Sequence, residues 1–191
     1  MRHLKQKLST GLVALLVIAM TAIFVSPAYR EGEPSVHGRR PKDFAFTVNG
    51  KPMRLSSLRG HVVVLNFWAS WCQPCVEEAP SLNVLQQRLS AMGGTVLGID
   101  PDVNGETRTS YEKFLKDNGI NFPTYLDTSQ QIAASYGTTM YPETYIISPD
   151  GKLDRKLVGP QDWSSPEMLS YIASLSPKKQ ALHAEEGSLF P

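Results

Sequence analysis

The sequence predicts an α/β domain with a central mixed β-sheet, helices on both faces, and an added β-hairpin at the N-terminal end. Three observations carry that expectation. The apolar, β-branched run 62–67, bounded by Arg59-Gly60, reads as a buried strand that leads straight into a helical pattern opening at Cys72. Strand-like and helix-like stretches then alternate at 95–99, 106–118 and 122–126, the pattern of parallel βα units. Last, the extended runs 143–147 and 153–158 flank Pro149-Asp150-Gly151-Lys152, a turn sequence that makes them an antiparallel hairpin.

Taken in order, residues 1–28 carry Arg2, Lys5 and Lys7 ahead of an apolar run at about 8–25, the arrangement of a secretory signal. Its length falls between a cleavable signal core and a full membrane span, so an uncleaved anchor is expected, with cleavage near Ser26-Pro27-Ala28 as the alternative. Basic residues precede the run and only Arg30 follows it closely, which puts the N-terminus in the cytoplasm and the domain outside. Residues 29–42, rich in charge, Gly and Pro, read as a flexible linker.

The folded domain is expected over 43–176. Residues 44–55 alternate across Asn49-Gly50, a type I′ hairpin signal, and 56–60 make a short helical turn. After the cysteines, Ala79, Leu82, Leu85 and Leu89 recur at helical spacing, Pro80 is expected to kink that helix, and Gly93-Gly94 ends it. Tyr111, Phe114 and Leu115 mark the helix at 106–118, residues 130–136 form a further turn or two, and a last helix covers 165–175. Residues 177–191 lack periodicity and read as a disordered tail.

A chain of 191 residues permits one ordinary domain plus extensions, and a formal net charge of +1 with no basic block gives no electrostatic case for nucleic acid. Proteins are the expected partners. The only two cysteines, Cys72 and Cys75, sit one helical turn apart, where the sulfurs come within bonding reach and unpaired N–H groups favour a thiolate. Cys72 is then the nucleophile, exposed at the helix tip, and Cys75 the resolving group, one turn deeper. A stapling disulfide would close a minimal loop and contribute little. A zinc site would need four ligands, and His3, His37, His61 and His183 are scattered.

Trp71-Cys72-Gln73-Pro74-Cys75, with the strand before it and Pro142 far downstream, resembles the thioredoxin superfamily. Leu55-Ser56-Ser57-Leu58-Arg59-Gly60, Leu65-Asn66-Phe67-Trp68-Ala69-Ser70 and Glu77-Glu78-Ala79-Pro80 place the resemblance in its TlpA/ResA/CcmG branch of envelope thiol-disulfide oxidoreductases, over about 41–175. The resemblance implies a thioredoxin-like fold and exchange through Cys72 and Cys75 without a cofactor. It also implies a cis Pro142 facing the cysteines, with the preceding backbone free to pair with substrate. Thioredoxins proper place a titrating Asp where this chain has Asn66, which cannot titrate; Glu78 stands at the branch's functional glutamate. The resemblance implies that it serves as proton carrier and as a like charge that raises the thiol pKa and makes the couple more reducing, the alternative being an ordinary helix-surface glutamate such as Glu77. Pro142-Glu143-Thr144 is closer to the CcmG-like pattern, which makes Glu143 a second acidic candidate near the sulfurs. Trp71 and Tyr141 could frame an apolar docking surface, with core packing as the other use of Trp71 and Trp68.

The leading expectation is a reductant of protein disulfides, with apocytochrome c as the substrate that the resemblance suggests and a membrane thiol carrier of the DsbD/CcdA kind as donor. An oxidant of the DsbA kind would use the same sulfurs in the opposite direction. A peroxidase lacks its Thr-x-x-Cys pattern here. From a different class, a metal or haem chaperone of the Sco kind uses Cys-x-x-x-Cys, one residue longer than this pair.

Overall fold

The computed structural model describes residues 36–101 and 108–176. The expected anchor at 1–28, the first half of the linker, the start of the 106–118 helix and the tail at 177–191 lie outside the described residues. Among the described residues no helix is long and apolar enough to cross a membrane.

Strands β1 (Ala45–Val48) and β2 (Lys51–Arg54) form the expected hairpin as a separate two-stranded sheet. Val48 faces Lys51 across a two-residue turn in which Asn49 and Gly50 have φ of 51° and 74°. Positive φ at both central positions is what a type I′ turn requires, and Asn-Gly tolerates it. A single 3₁₀ turn, Leu55–Leu58, then leads to the main sheet.

That sheet has five strands in the order β5-β4-β3-β6-β7: β3 (Val63–Phe67), β4 (Thr95–Asp100), β5 (Thr124–Leu126), β6 (Glu143–Ile147) and β7 (Leu153–Val158). β3 runs parallel to β4 and antiparallel to β6, so the parallel half and the hairpin half meet at the central strand. All five residues of β3 are buried, which is why it reads as a continuous apolar run interrupted only by Asn66.

Alternation along the strands sends Val64, Val96 and Ile146 to one face, where Leu82, Leu85 and Leu89 of α1 (Gln73–Ala91) and Ile172 of α4 (Pro166–Ser174) cover them. Val63, Leu65, Phe67, Leu97, Tyr145 and Ile147 face the other way, onto Phe44, Phe46 and α3 (Gln131–Tyr136). A third cluster joins Tyr111 and Phe114 of α2 (Arg108–Asp117) to Trp68, with stacked rings whose centroids lie 5.7 and 4.1 Å from the indole. Pro80 lies inside α1 without ending it.

The expected linker proves partly structured. Gly38 N–H donates to the Leu153 carbonyl at 2.8 Å, Leu153 N–H donates to the Arg39 carbonyl at 2.7 Å, and Tyr136 Oη donates to the Lys42 carbonyl. Gly38 and Arg39 are held at the start of β7 through main-chain atoms alone, an arrangement that leaves no side-chain periodicity to read.

Gly94 closes the turn from α1 into β4. A Cβ there would meet the Val62 carbonyl oxygen at 2.7 Å and Leu89 Cδ2 at 2.9 Å. The Gly94→Ala variant is therefore expected to lose about 1–3 kcal/mol of stability through overpacking against rigid backbone, read from its denaturant midpoint.

Candidate functional site

β3 delivers the chain to the N-terminus of α1 at the middle of the sheet. Cys72 is the N-cap residue, with extended backbone (φ −82°, ψ 103°), and Gln73 and Pro74 follow as the first helical positions. A proline there removes an N–H that would have had no intrahelical partner anyway. Cys75 N–H then points back at Cys72, 3.3 Å from Sγ and 3.1 Å from its carbonyl oxygen. The Cys72 sulfur thus sits where helix N–H groups and the positive end of the helix dipole stabilise negative charge.

The two sulfurs are bonded to each other, Sγ–Sγ 2.11 Å with the Cα atoms 5.3 Å apart. In this oxidised form Cys72 is only 3% exposed and Cys75 2%, so the expected exposure of Cys72 does not hold. Its side chain turns inward to bond Cys75 and packs with Trp68, Ala69 and Tyr141.

What is exposed is the rim. Trp71 is 53% exposed and Met140 58%, and the Trp71 ring meets Tyr141 edge-on at 6.1 Å. Trp68, by contrast, is core. The Tyr141–Pro142 peptide is cis, and the Pro142 carbonyl accepts from Gly159 N–H at 2.9 Å, which ties the loop to the end of β7. The buried sulfur pair thus shares one apolar cluster with Trp68 and Tyr141, and Trp71 packs on Tyr141 at its exposed edge. Burial pushes the Tyr141 phenol up, with the Asp100 and Glu143 charges adding to it, so Tyr141 stays neutral.

Glu78 lies one turn beyond Cys75 on the inner face of α1, 3% exposed, whereas its neighbour Glu77 is at the surface. Oε1 accepts from Asn66 Nδ2 at 2.8 Å; Oε2 accepts from Trp163 Nε1 at 3.1 Å and from Gln161 N–H at 3.3 Å. Burial raises the Glu78 pKa above the ordinary carboxylate range, and the three donors oppose that rise without cancelling it. Asn66, which cannot itself titrate, is thus the strand's link to a residue that can. It also donates to Thr144 Oγ1 at 2.9 Å.

Glu143 is placed differently. It pairs with Phe67 across β3 and β6, so its side chain leaves the sheet on the face opposite Asn66 and Glu78. There it is 2% exposed, accepts from Thr138 Oγ1 at 2.6 Å and Tyr145 Oη at 2.7 Å, and pairs with Lys156 Nζ at 3.1 Å. Desolvation, the hydrogen bond to Glu143 and its charge push the Tyr145 phenol up to about 12. Every one of these contacts is internal, tying the carboxylate to the Thr138 side of the loop that carries Pro142 and to β6 and β7.

Trp163 and Gln161 were not legible as site residues, since the segment between β7 and α4 carries no motif. The signal was a tryptophan just ahead of a Ser-Pro helix cap in an otherwise polar connection. Among the described residues no group of three or more His, Cys, Asp or Glu side chains could hold a metal ion.

The family model for the AhpC/TSA family matches residues 38–156. The thiol-disulfide oxidoreductase ResA of Bacillus subtilis is 30% identical over 151 residues, covering 78% of this chain and 83% of that protein. Two solved structures share the fold. A thiol:disulfide interchange protein of the thioredoxin family from Chlorobium tepidum is 25% identical, with a TM-score of 0.60 over 73% of this chain and 98% of that one. A secreted Mycobacterium tuberculosis disulfide oxidoreductase homologous to E. coli DsbE is 27% identical, with a TM-score of 0.57 over 69% of this chain and 95% of that one.

Two outcomes follow from the buried carboxylates. The folded protein holds the Glu78 proton to higher pH than the unfolded chain does, so stability falls as pH rises from the ordinary value of 4.5 through the raised one. Oxidised Glu78→Gln is expected to lose that slope in denaturation curves taken across the range. Lys156→Met strands the Glu143 charge and is expected to cost about 3 kcal/mol by the same measurement, most of it recovered when Glu143→Gln is added.

Proposed function

The chain belongs to the AhpC/TSA family, and from that premise we propose that it reduces selected protein disulfides in the cell envelope. It is a thiol-disulfide oxidoreductase of the thioredoxin-like, ResA-related kind. The observation that carries the reading is the Cys72–Cys75 disulfide at a helix N-terminus, packed against Tyr141, whose bond to Pro142 is cis, with Trp71 exposed at its edge.

In the reduced protein the Cys72 thiolate attacks one sulfur of a substrate disulfide. The substrate S–S bond breaks, a Cys72–substrate disulfide forms, and the departing substrate thiolate takes a proton. Cys75 then loses its proton and attacks Cys72 Sγ; the mixed bond breaks, the second substrate thiolate leaves, and Cys72–Cys75 is restored as the disulfide. Two electrons pass to the substrate. Glu78, one turn from Cys75, receives the Cys75 proton in this scheme, its raised pKa letting it hold a proton nearer neutrality than a surface carboxylate would. Trp71, Met140 and Tyr141 supply apolar contact, and the backbone before Pro142 pairs with an extended substrate segment.

The compartment rests on the basic residues and apolar run at the N-terminus, which support an anchor or export signal with the domain outside the cytoplasm. Reducing power must then come from a membrane thiol carrier of the DsbD/CcdA kind, because the glutathione and thioredoxin pools act in the cytosol. Apocytochrome c, presented before haem attachment, fits as substrate through the family resemblance.

The Cys75→Ser variant removes the resolving thiol. It is expected to accumulate a mixed disulfide between Cys72 and its physiological target, recoverable from envelope fractions and released by reductant. In the unaltered protein the Cys72–Cys75 couple is expected to have a reduction potential well below that of a strong oxidant; a potential on the oxidising side of the envelope poise would refute the reducing direction.

A further inference from the structure

The donors around Glu78 are not equivalent. Oε2 receives the Trp163 indole N–H and the Gln161 backbone N–H, both of which can only donate. A proton on Oε2 would face two donors and find no acceptor. Oε1 receives a single partner, the Asn66 carboxamide, which carries an acceptor oxygen as well as its NH₂.

The second partner of Asn66 Nδ2 is Thr144 Oγ1, and a hydroxyl can donate as readily as it accepts. Rotating the carboxamide by half a turn would set Asn66 Oδ1 against a protonated Oε1 and against the Thr144 hydroxyl together. Asn66 is 1% exposed and Trp163 0%, so bulk solvent does not reach either side chain.

We propose that Trp163 is a positioning residue that keeps Oε2 proton-free, so that Glu78 takes up its proton on Oε1 while Asn66 turns over to accept it. The inference rests on the reading of Glu78 as proton carrier and deepens it: an amide standing where a titrating group would be expected becomes the switch that follows the proton. On proton uptake the Asn66 Nδ2 to Oε1 hydrogen bond breaks and an Oε1–H to Asn66 Oδ1 bond forms; the Trp163 bond persists in both states. No charged side chain contributes to Glu78 among the described residues. The groups packed around it from α1, β3, β6 and the β7–α4 segment are Ser81, Asn66, Thr144, Gln161 and Trp163, with Asp162 turned out to Ser164. The titratable neighbour is Cys75, oxidised here.

The test is a pH titration of the isotope-labelled, oxidised full chain by NMR, following the Trp163 indole N–H and the Asn66 side-chain amide. Both are expected to move with one midpoint that vanishes in Glu78→Gln. The Asn66 amide should change partner across it, while the indole stays hydrogen-bonded at both ends. In Trp163→Phe the charged carboxylate loses a donor, so the midpoint, and with it the acid limb of the rate of exchange with oxidised glutathione, should rise by about one pH unit. An indole resonance indifferent to pH, or an Asn66 amide that keeps its partner, overturns the inference even if Trp163→Phe fails to fold. Should Glu78→Gln leave the exchange profile unaltered, the proton-carrier reading itself falls, a result distinct from the other two.

Discussion

The hydrogen bond from Asn66 to Glu78 spans the junction on which the molecule is built, because it ties the central strand to the helix that carries the sulfurs. The strand fixes where the chain leaves the sheet, and the helix fixes how Cys72 and Cys75 stand relative to each other. A polar bridge between the two sits in an otherwise apolar layer of Leu82, Leu85 and Ile146. Burying those groups costs free energy unless each finds a partner, and here each does. The geometry of the reactive end is therefore set by packing and by one satisfied polar network together.

The two buried glutamates show how the same side chain is put to opposite uses by its surroundings. Glu143 has a lysine at 3.1 Å and two hydroxyl donors, so its charge is matched and fixed. Glu78 has donors but no cation, so its charge is tolerated rather than neutralised, and its affinity for a proton rises. The sheet separates them, one on each face. A matched charge makes a strut; an unmatched one draws a proton more readily.

Much of the architecture was legible because its signals were local. The Asn49-Gly50 turn, the run into Cys72, and the strands at 143–147 and 153–158 were all read within their own windows, and the last two match β6 and β7 residue for residue. Glu78 stood out only through family resemblance, since helical spacing alone cannot say that Trp163, eighty-odd positions later, closes over it. Cys72 was expected at the surface because helix tips usually are; in the oxidised pair its sulfur is bonded to Cys75 and buried. The backbone pairing of Gly38 and Arg39 with Leu153 was illegible for a related reason: main-chain hydrogen bonds leave no trace in side-chain composition.

The depth of the oxidised sulfurs has a kinetic meaning. The oxidised pair offers almost no surface to solvent, 3% for Cys72 and 2% for Cys75, while Trp71, next in the chain, stands half exposed and meets Tyr141 edge-on. A reagent reaches the S–S bond only where its cover of side chains gives way, so steric access, as well as the potential of the couple, sets how readily that bond is opened.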